Sequence, residues 1–510
     1  MDMEIFSFSP FGYEGAMVTV EVDLRRGIPG VDMVGLADGA VRESRERMRS
    51  ALLNSGFQFP PERIIISLSP ADLKKEGAGF DLPIALAVLA EAAGENTLSA
   101  GKCLIMGELE LSGRVRAVRG VNAAAATALE QGINCCIVPA ANAEEARSVE
   151  GMHVFAATDL KQAFAGLLSY DSWKDSKPPC SKLGQQEDVE FMPVTPELDM
   201  VDVRGQGQLV RGLQIAAAGG HNLLAFGPPG CGKTLALQKF PSLLPLLTRH
   251  ESQPVTRIYS LTGLLPHNQS YIEEPPFRMP HQSASLEGMV GGGYHCRPGE
   301  ISLAHNGVLF LDEASEFKSS VLQALRTPLE TGYVSLTRAG RSTIYPCEFQ
   351  LLIATNPCPC GNFGVPGKTC LCSIKSVEQY WRKFSAPLLD RVDIRVPVLV
   401  PSEDSEDSLS SKQLRPAIRR AVAIQRQRQG KRNHQLQTEE VLEICNLTAA
   451  AQQSLNKAVR LEGFSPRAVT SCLKVARTIA DMAGSPIIEE EAMEEAIAFR
   501  RNEGGMGMCF

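Results

Sequence analysis

The 510-residue chain has no apolar run near the ~18 residues that a membrane-spanning helix needs. Its first residues, Met1-Asp2-Met3-Glu4, also lack the basic-then-apolar order of a secretory signal. A cytoplasmic protein without a membrane partner is expected. Positive charge is not in excess either: 51 Lys and Arg stand against 58 Asp and Glu, a net charge of −7. The surface as a whole therefore cannot coat nucleic acid, and any such contact has to come from local basic patches. There is no internal repeat. The 14 cysteines are scattered, which argues against the disulfide framework of a small secreted domain, except for four at 358, 360, 370 and 372.

What is present is globular composition, 44% hydrophobic and 21% charged, in a length suited to about three domains. Residues 1–168 alternate strand-like segments (17–22, 63–68) with helix-like ones (81–93, 121–131), which predicts an α/β domain. The Ser-, Pro-, Lys- and Asp-rich stretch 169–199 reads as a linker. From 200 to 400, short apolar strands (222–226, 307–311, 349–354) have the character of a buried parallel sheet and predict a second α/β domain. Residues 401–510 open on an acidic stretch, 401–407, and then carry Ala- and Leu-rich 3.6-residue periodicity, which predicts helices.

The most specific motif is Gly227-Pro228-Pro229-Gly230-Cys231-Gly232-Lys233-Thr234, a G-x-x-x-x-G-K-[ST] loop between an apolar strand and the helical Leu235–Gln238. Its glycines let backbone N–H groups converge on phosphate oxygens, and the helix N-terminus adds its dipole. Lys233 supplies charge for the β- and γ-phosphates, and Thr234 can ligate Mg²⁺. Further on, four apolar residues lead into Asp312-Glu313, a pattern in which Asp312 holds the metal and Glu313 orients or deprotonates the attacking water. A third strand ends in Ala354-Thr355-Asn356, which places an amide beside the γ-phosphate. Nucleotide hydrolysis is the expected chemistry, with ATP and Mg²⁺ as cofactors. Arg391, in Pro387–Asp393, is suited to neutralise a transferring phosphoryl group, and from this position would reach a neighbouring subunit's nucleotide; the other reading is a surface ion pair with an adjacent Asp. Arg467, opening a helix at Ser465-Pro466-Arg467-Ala468, is a second candidate, through which the helical region would sense bound phosphate.

Cys358-Pro359-Cys360 and Cys370-Leu371-Cys372 give C-x-C-x₉-C-x-C, with Gly361, Gly364 and Gly367 for the tight turns that four thiolates around one ion require. A structural Zn²⁺ is expected; free thiols and an iron–sulfur cluster are the alternatives. Two segments carry local positive charge. Residues 333–345 alternate about Ala339-Gly340 and predict a β-hairpin with Arg338 and Arg341 flanking its tip. Residues 412–432 hold eight basic residues and no acidic one, and read either as a contact to backbone phosphates or as a solvated helix face.

These motifs, with Phe277–Ser283, Gly291–Gly293, Pro298–Gly307, Asn356–Gly361 and Lys474–Asp481, resemble the AAA+ ATPases and, more narrowly, the magnesium-chelatase-like ComM/YifB family, over nearly the whole chain. The resemblance implies an α/β P-loop core with a C-terminal helical lid. It implies a homo-hexameric ring with Asn356 as sensor 1, Arg391 as arginine finger and Arg467 as sensor 2. The 333–345 hairpin would point into the pore, where its arginines track a DNA backbone without reading sequence. The implied activity is ATP-driven branch migration of single-stranded or branched DNA in natural transformation, alongside recombination proteins. Residues 1–168 are similar to the Lon protease domain, but Gly79 stands at the place of that peptidase's serine and Asn122 at the place of its lysine, with no lysine between Lys102 and Lys161. That implies a non-catalytic docking or assembly domain. Two other readings stay open: a chelatase-type motor acting on a partner enzyme, against which the Lon-like domain and the cysteine loop stand, and a ring that grips polypeptide.

Overall fold

The computed structural model describes residues 3–501 apart from 36–37, 72, 74, 76, 95–98, 176–187, 267–268, 294, 339–340, 364–367 and 401–407, and only the backbone of Ala40, Arg42, Ala78 and Arg341. The predicted acidic stretch at 401–407 therefore lies outside the described residues.

The N-terminal region is built on a seven-stranded sheet. Its strands are β1 (Met3–Ser9), β2 (Ala16–Arg25), β3 (Gly30–Val34), β4 (Arg63–Ser69), β5 (Gly101–Ile105), β6 (Cys135–Pro139) and β7 (His153–Ala157), in the order β3-β4-β2-β1-β5-β6-β7. The β1–β2 and β2–β4 pairs are antiparallel; the other four are parallel. In β4, Ile64, Ile66 and Leu68 are buried while their neighbours are less so, the period-2 pattern of a strand with one face on a core. Helices α1 (Asp81–Ala93) and α2 (Val121–Glu130) are apolar over most of their surface because α1 is packed inside this region and α2 between it and the helix Arg249–Thr262.

The second sheet has five parallel strands, β8 (Leu223–Phe226), β9 (Phe277–Arg278), β10 (Val308–Leu311), β13 (Gln350–Thr355) and β14 (Ile394–Pro397), in the order β9-β10-β13-β8-β14. Every residue of β8, β10 and β13 is buried, which is why these strands read as continuous apolar runs rather than alternating ones. Strands β11 (Tyr333–Arg338) and β12 (Arg341–Pro346) form a separate antiparallel hairpin. Around the sheet lie α3 (Gly207–Gly219), α4 (Lys233–Gln238), α5 (Arg249–Thr262), α6 (Pro328–Thr331) and α7 (Ile374–Arg382). The C-terminal region is helical, its longer members including α8 (Ser411–Gln429), α9 (Pro466–Ala483) and α10 (Glu490–Arg500). No helix among the described residues is long and apolar enough to cross a membrane.

The helical region is not a detached cap. One hydrophobic core runs from Leu223, Phe310 and Leu352 on the sheet, through Leu213 and Ala217 of α3, to Ile418, Val422, Ile479 and Ile497. Buried polar contacts reinforce it: His221 Nε2 lies 2.8 Å from Thr478 Oγ1, and Asp393 accepts a hydrogen bond from Ser471. Burial alone would raise the pKa of Asp393, but His221 and Ser471 outweigh it and hold the carboxyl well below the usual range.

The stretch expected as a linker is partly built into the fold. Tyr170–Trp173 is helical, and Tyr170 packs in the N-terminal core. Val189 is buried in the shared core with Phe191 packed against it, because Phe191 offers an aromatic face to Arg415 and Arg419. Of this stretch, residues 176–187 lie outside the described ones.

The N-terminal region docks on α5. Arg257 donates to Tyr13 O and Glu14 O at 3.0 Å each and to Thr127 Oγ1 at 2.9 Å, and its guanidinium sits 4.8 Å from the centre of the Tyr13 ring. Ser260 Oγ donates to the buried Glu145 at 2.5 Å.

Candidate nucleotide site

Strand register builds the site. Phe226 pairs with Thr355, and Leu311 with Ile353, so Gly227, Asp312 and Asn356 all emerge at the same C-terminal edge of the parallel sheet. Crevices at that edge are where open α/β sheets bind ligands. Here it forms a cleft of about 350 Å³ lined by Pro229 to Leu235, Asp312, Glu313 and Ala354 to Asn356.

Lys233 opens α4, and its Nζ donates to Gly227 O at 2.6 Å and Pro228 O at 2.7 Å, with Asn356 Oδ1 3.4 Å away. Burial pulls its pKa below the ordinary lysine value. Neutral carbonyls compensate an ammonium only in part, so an anionic group entering this cleft is strongly favoured. Thr234 Oγ1 donates to Asp312 Oδ1 at 3.0 Å, and the same oxygen accepts the Glu313 backbone N–H at 2.9 Å. This hydroxyl–carboxylate pair is an oxygen donor set suited to Mg²⁺ beside a phosphate. Glu313 adopts φ +45°, a left-handed conformation that costs a non-glycine residue about 1 kcal/mol or more and that recurs at functional sites. The residues present thus fit a magnesium nucleoside triphosphate.

The two arginines are elsewhere. Arg391 Nη2 lies 2.6 Å from Glu330 Oε2 and its Nη1 donates to Pro387 O at 2.6 Å; Arg467 Nη1 is 3.8 Å from Glu330 Oε1. Glu330 belongs to α6, so the ion pair of Arg391 is with a distant element and not with its sequence neighbours; Asp390 pairs instead with Arg500. Neither arginine lines the cleft, and no residue of the C-terminal helices does. The helical C-terminal region expected after the α/β core is present; its residues do not line this cleft, and its apolar faces pack on α3 and the shared core.

The four cysteines converge. Their Sγ atoms lie within 4.8 Å of one another, with Cys358 to Cys360 at 3.4 Å, Cys358 to Cys370 at 3.7 Å and Cys360 to Cys370 at 3.5 Å, Cys372 completing the set. Backbone N–H of Asn362 and the neighbouring Cys358 bring the Cys360 thiol down to about 6, so a thiolate is available at neutral pH. The donor set fits a tetrahedral metal. This loop leans on the phosphate loop: Gly361, at φ +77°, would carry a Cβ only 2.6 Å from Pro229 Cδ. Gly364 and Gly367 lie outside the described residues.

The hairpin forms in the predicted register, with Arg338 opposite Arg341. Its tip, Ala339-Gly340, and the side chain of Arg341 lie outside the described residues. Its second strand, β12, is tied midway along its length to the N-terminal region, where Tyr13 N donates to Thr343 Oγ1 at 3.0 Å and a Cβ at Gly12 would fall 2.0 Å from the same oxygen.

Seven of the eight basic side chains of 412–432 have partners within the molecule, while Lys412, Arg419, Arg420 and Arg428 stay exposed, so the segment is in part a solvated face and in part a set of internal ties. Arg415 donates to Ser242 O and Met192 O, Arg419 to Val189 O, Arg420 to Met482 O, Arg426 to Leu246 O and Arg432 to Ala217 O and Ala218 O. Arg428 pairs with Asp481, and Lys431 with Glu440. The sequence shows eight charges without showing that unsatisfied carbonyls await them.

In the N-terminal region, Gly79 lines a cleft of about 570 Å³ facing the second sheet's domain, with Asp38, Arg119, Thr262 and Arg297. Asn122 does not line it; its Nδ2 donates to Ser148 Oγ at 2.9 Å. Sequence reasoning missed Glu330, Glu145 and Arg257, none of which sits in a motif; only their three-dimensional partners mark them.

Three family models match. One described as magnesium chelatase, subunit ChlI, covers residues 199–406; one described as subunit ChlI of Mg-chelatase covers 20–142; and one described as magnesium chelatase, subunit ChlI C-terminal, covers 408–500. The chain is 38% identical over 494 residues to the uncharacterized protein YifB of Escherichia coli, spanning 96% of this chain and 95% of that one. It is 38% identical over 504 residues to the competence protein ComM of Haemophilus influenzae, spanning 97% of each. With an uncharacterized protein of Mycobacterium tuberculosis it shares 40% over 509 residues, 97% of this chain and 98% of that one.

Proposed function

The chain belongs to the magnesium-chelatase-like YifB/ComM family of AAA+ proteins, and from that premise we propose that it is a cytoplasmic, ATP-hydrolysing hexameric ring that moves DNA, with branch migration in competence-linked recombination as its task. Lys233 and the loop amides bind the phosphates, and Thr234 and Asp312 hold Mg²⁺, which polarises the phosphoryl oxygens when bound. Glu313 takes the proton of the attacking water, and Asn356 orients that water. Arg391 and Arg467 act on the nucleotide of the adjacent subunit. The observation that carries this reading is the incomplete site: the cleft has every group for binding and base catalysis, while both candidate charge-neutralising arginines sit outside it on Glu330. Hydrolysis then requires a second copy to supply them.

On the same reading, Cys358, Cys360, Cys370 and Cys372 hold a structural Zn²⁺. The N-terminal region serves docking and not proteolysis, a reading supported by Gly79 and Asn122 standing where a Lon-type serine and lysine would; the described residues lining the Gly79 cleft include no serine, cysteine or lysine. The hairpin meets DNA through Arg338 and Arg341.

The chelatase-type or protein-remodelling reading keeps one specific support. A model described as a chelatase subunit covers residues 20–142, so the N-terminal region does not argue against it. ATPase rates with no DNA, single-stranded, duplex and four-way-junction DNA at two salt concentrations separate the two. Salt-dependent stimulation is expected; a flat response with stimulation by a protein partner favours the alternative.

A further inference from the structure

Glu330 joins three parts of the molecule. Its two carboxylate oxygens face Arg391 at 2.6 Å and Arg467 at 3.8 Å. It sits on α6, one residue before the helix ends, and only Gly332 separates that helix from β11 of the hairpin. Arg391 is almost wholly enclosed, its side chain 8% exposed, and its Nε has no partner. Among the described residues, this guanidinium is held by Glu330 and Pro387 O. Beside it, Glu330 and Arg467 border a cleft of about 640 Å³ between the hairpin base and the helical region, whose wall also carries Lys474. Two guanidiniums converging on one anion reproduce the arrangement that a phosphoryl group would take between them.

We propose that Glu330 is an internal stand-in for phosphate. It holds Arg391 and Arg467 while the subunit edge is unoccupied and gives them up when a neighbour's nucleotide arrives, so that the exchange of arginines from carboxylate to phosphate frees α6 and the hairpin that follows it. Glu330 is thereby a positioning residue: it touches no substrate, and it sets how readily the two arginines become available. This rests on the reading of Arg391 as acting across the interface. Removing the charge takes away a competitor for the arginines without removing them, so the cost of recruiting them falls while the chemistry they perform is unchanged.

The test is steady-state hydrolysis over a range of ATP concentrations for the full chain, Glu330→Gln and Arg391→Ala, with melting temperatures alongside and binding of a fluorescent ATP analogue. Glu330→Gln is expected to lower the ATP concentration giving half-maximal rate about five-fold, with the saturated rate within about two-fold of the parent. Arg391→Ala is expected to bind the analogue normally and lose hydrolysis. An unchanged half-maximal concentration in Glu330→Gln, or a loss of saturated rate as deep as that of Arg391→Ala, overturns the stand-in role. Undiminished hydrolysis by Arg391→Ala instead overturns the interfacial role of that arginine, and the two failures are distinct.

Discussion

Lys233 shows what one side chain's surroundings decide. Its ammonium is held by neutral groups, the carbonyls of Gly227 and Pro228 with Asn356 and Cys231 nearby, so on the proposed function its substitution removes the charge that draws phosphate in. Lys233→Ala is expected to abolish hydrolysis and to weaken ATP binding in a fluorescence titration. Glu313→Gln keeps the fold and the phosphate contacts but lacks the base; a fall in kcat of about 10²- to 10⁴-fold with little change in ATP binding is expected, measured by phosphate release. Gly361 is a less obvious position. Gly361→Ala forces a methyl group against Pro229 and a left-handed backbone on an L-residue, so both a raised KM for ATP and a loss of about 1–2 kcal/mol in urea unfolding are expected. Normal ATP kinetics in that variant would show that the cysteine loop and phosphate loop move independently.

At the scale of elements, α8 was legible only in part, because a row of arginines looks the same whether it faces phosphates, water or carbonyls. The helix is a pillar: Arg415, Arg419, Gln425 and Arg428 tie residues 189–192, α3 and α9 to it. Arg428→Ala leaves the fully buried Asp481 with Arg477 and Asn433 only, and a loss of about 1–3 kcal/mol is expected, with DNA affinity and its salt slope unchanged. Arg338→Ala on β11 should do the reverse. Proton linkage adds a second test at this scale. His305, just before β10, is buried and pushed down to about 4, and its Nδ1 accepts the Glu348 backbone N–H at 3.0 Å, a role that only the neutral ring can play. The unfolded chain takes up that proton near pH 6.5 and the folded chain does not. Stability is therefore full above about 6.5 and falls as pH drops towards 4, by about 1.4 kcal/mol per pH unit for this residue. Urea midpoints at pH 7, 6 and 5 should fall in that order, and less steeply for His305→Gln.

For the whole molecule, the separation of phosphate-binding and charge-neutralising groups makes a prediction that no single subunit can satisfy. Lys233→Ala and Arg391→Ala are each expected to be inactive alone. Mixed one to one, interfaces pairing the intact Lys233 of one variant with the intact Arg391 of the other recover about a quarter of the parent rate if assembly is random. No recovery would mean that the arginine works within its own chain after a rearrangement. The docking of the N-terminal region on α5 and on strand β12 carries a further consequence. The hairpin cannot swing without straining the Tyr13–Thr343 contact, so Thr343→Ala should alter DNA stimulation more than basal hydrolysis.

Legibility in the sequence followed the range of the interactions. The phosphate loop, the Asp312-Glu313 strand end, the Asn356 strand end, the hairpin and the C-x-C pairs were readable because each is a local spacing set by backbone geometry: a turn, a strand terminus, a thiol pair. By itself the sequence determined two α/β regions, a helical C-terminus and a triphosphate-binding loop. Only the tertiary structure decided where Arg391 and Arg467 rest, that seven of the eight basic side chains of 412–432 find partners within the molecule, and that the helical region shares a core with the sheet. Charges are satisfied by whatever partner folding brings within about 3 Å, and those partners, Glu330 for Arg391 and the carbonyls of Ala217 and Ala218 for Arg432, lie 61 and more than 200 residues away along the chain.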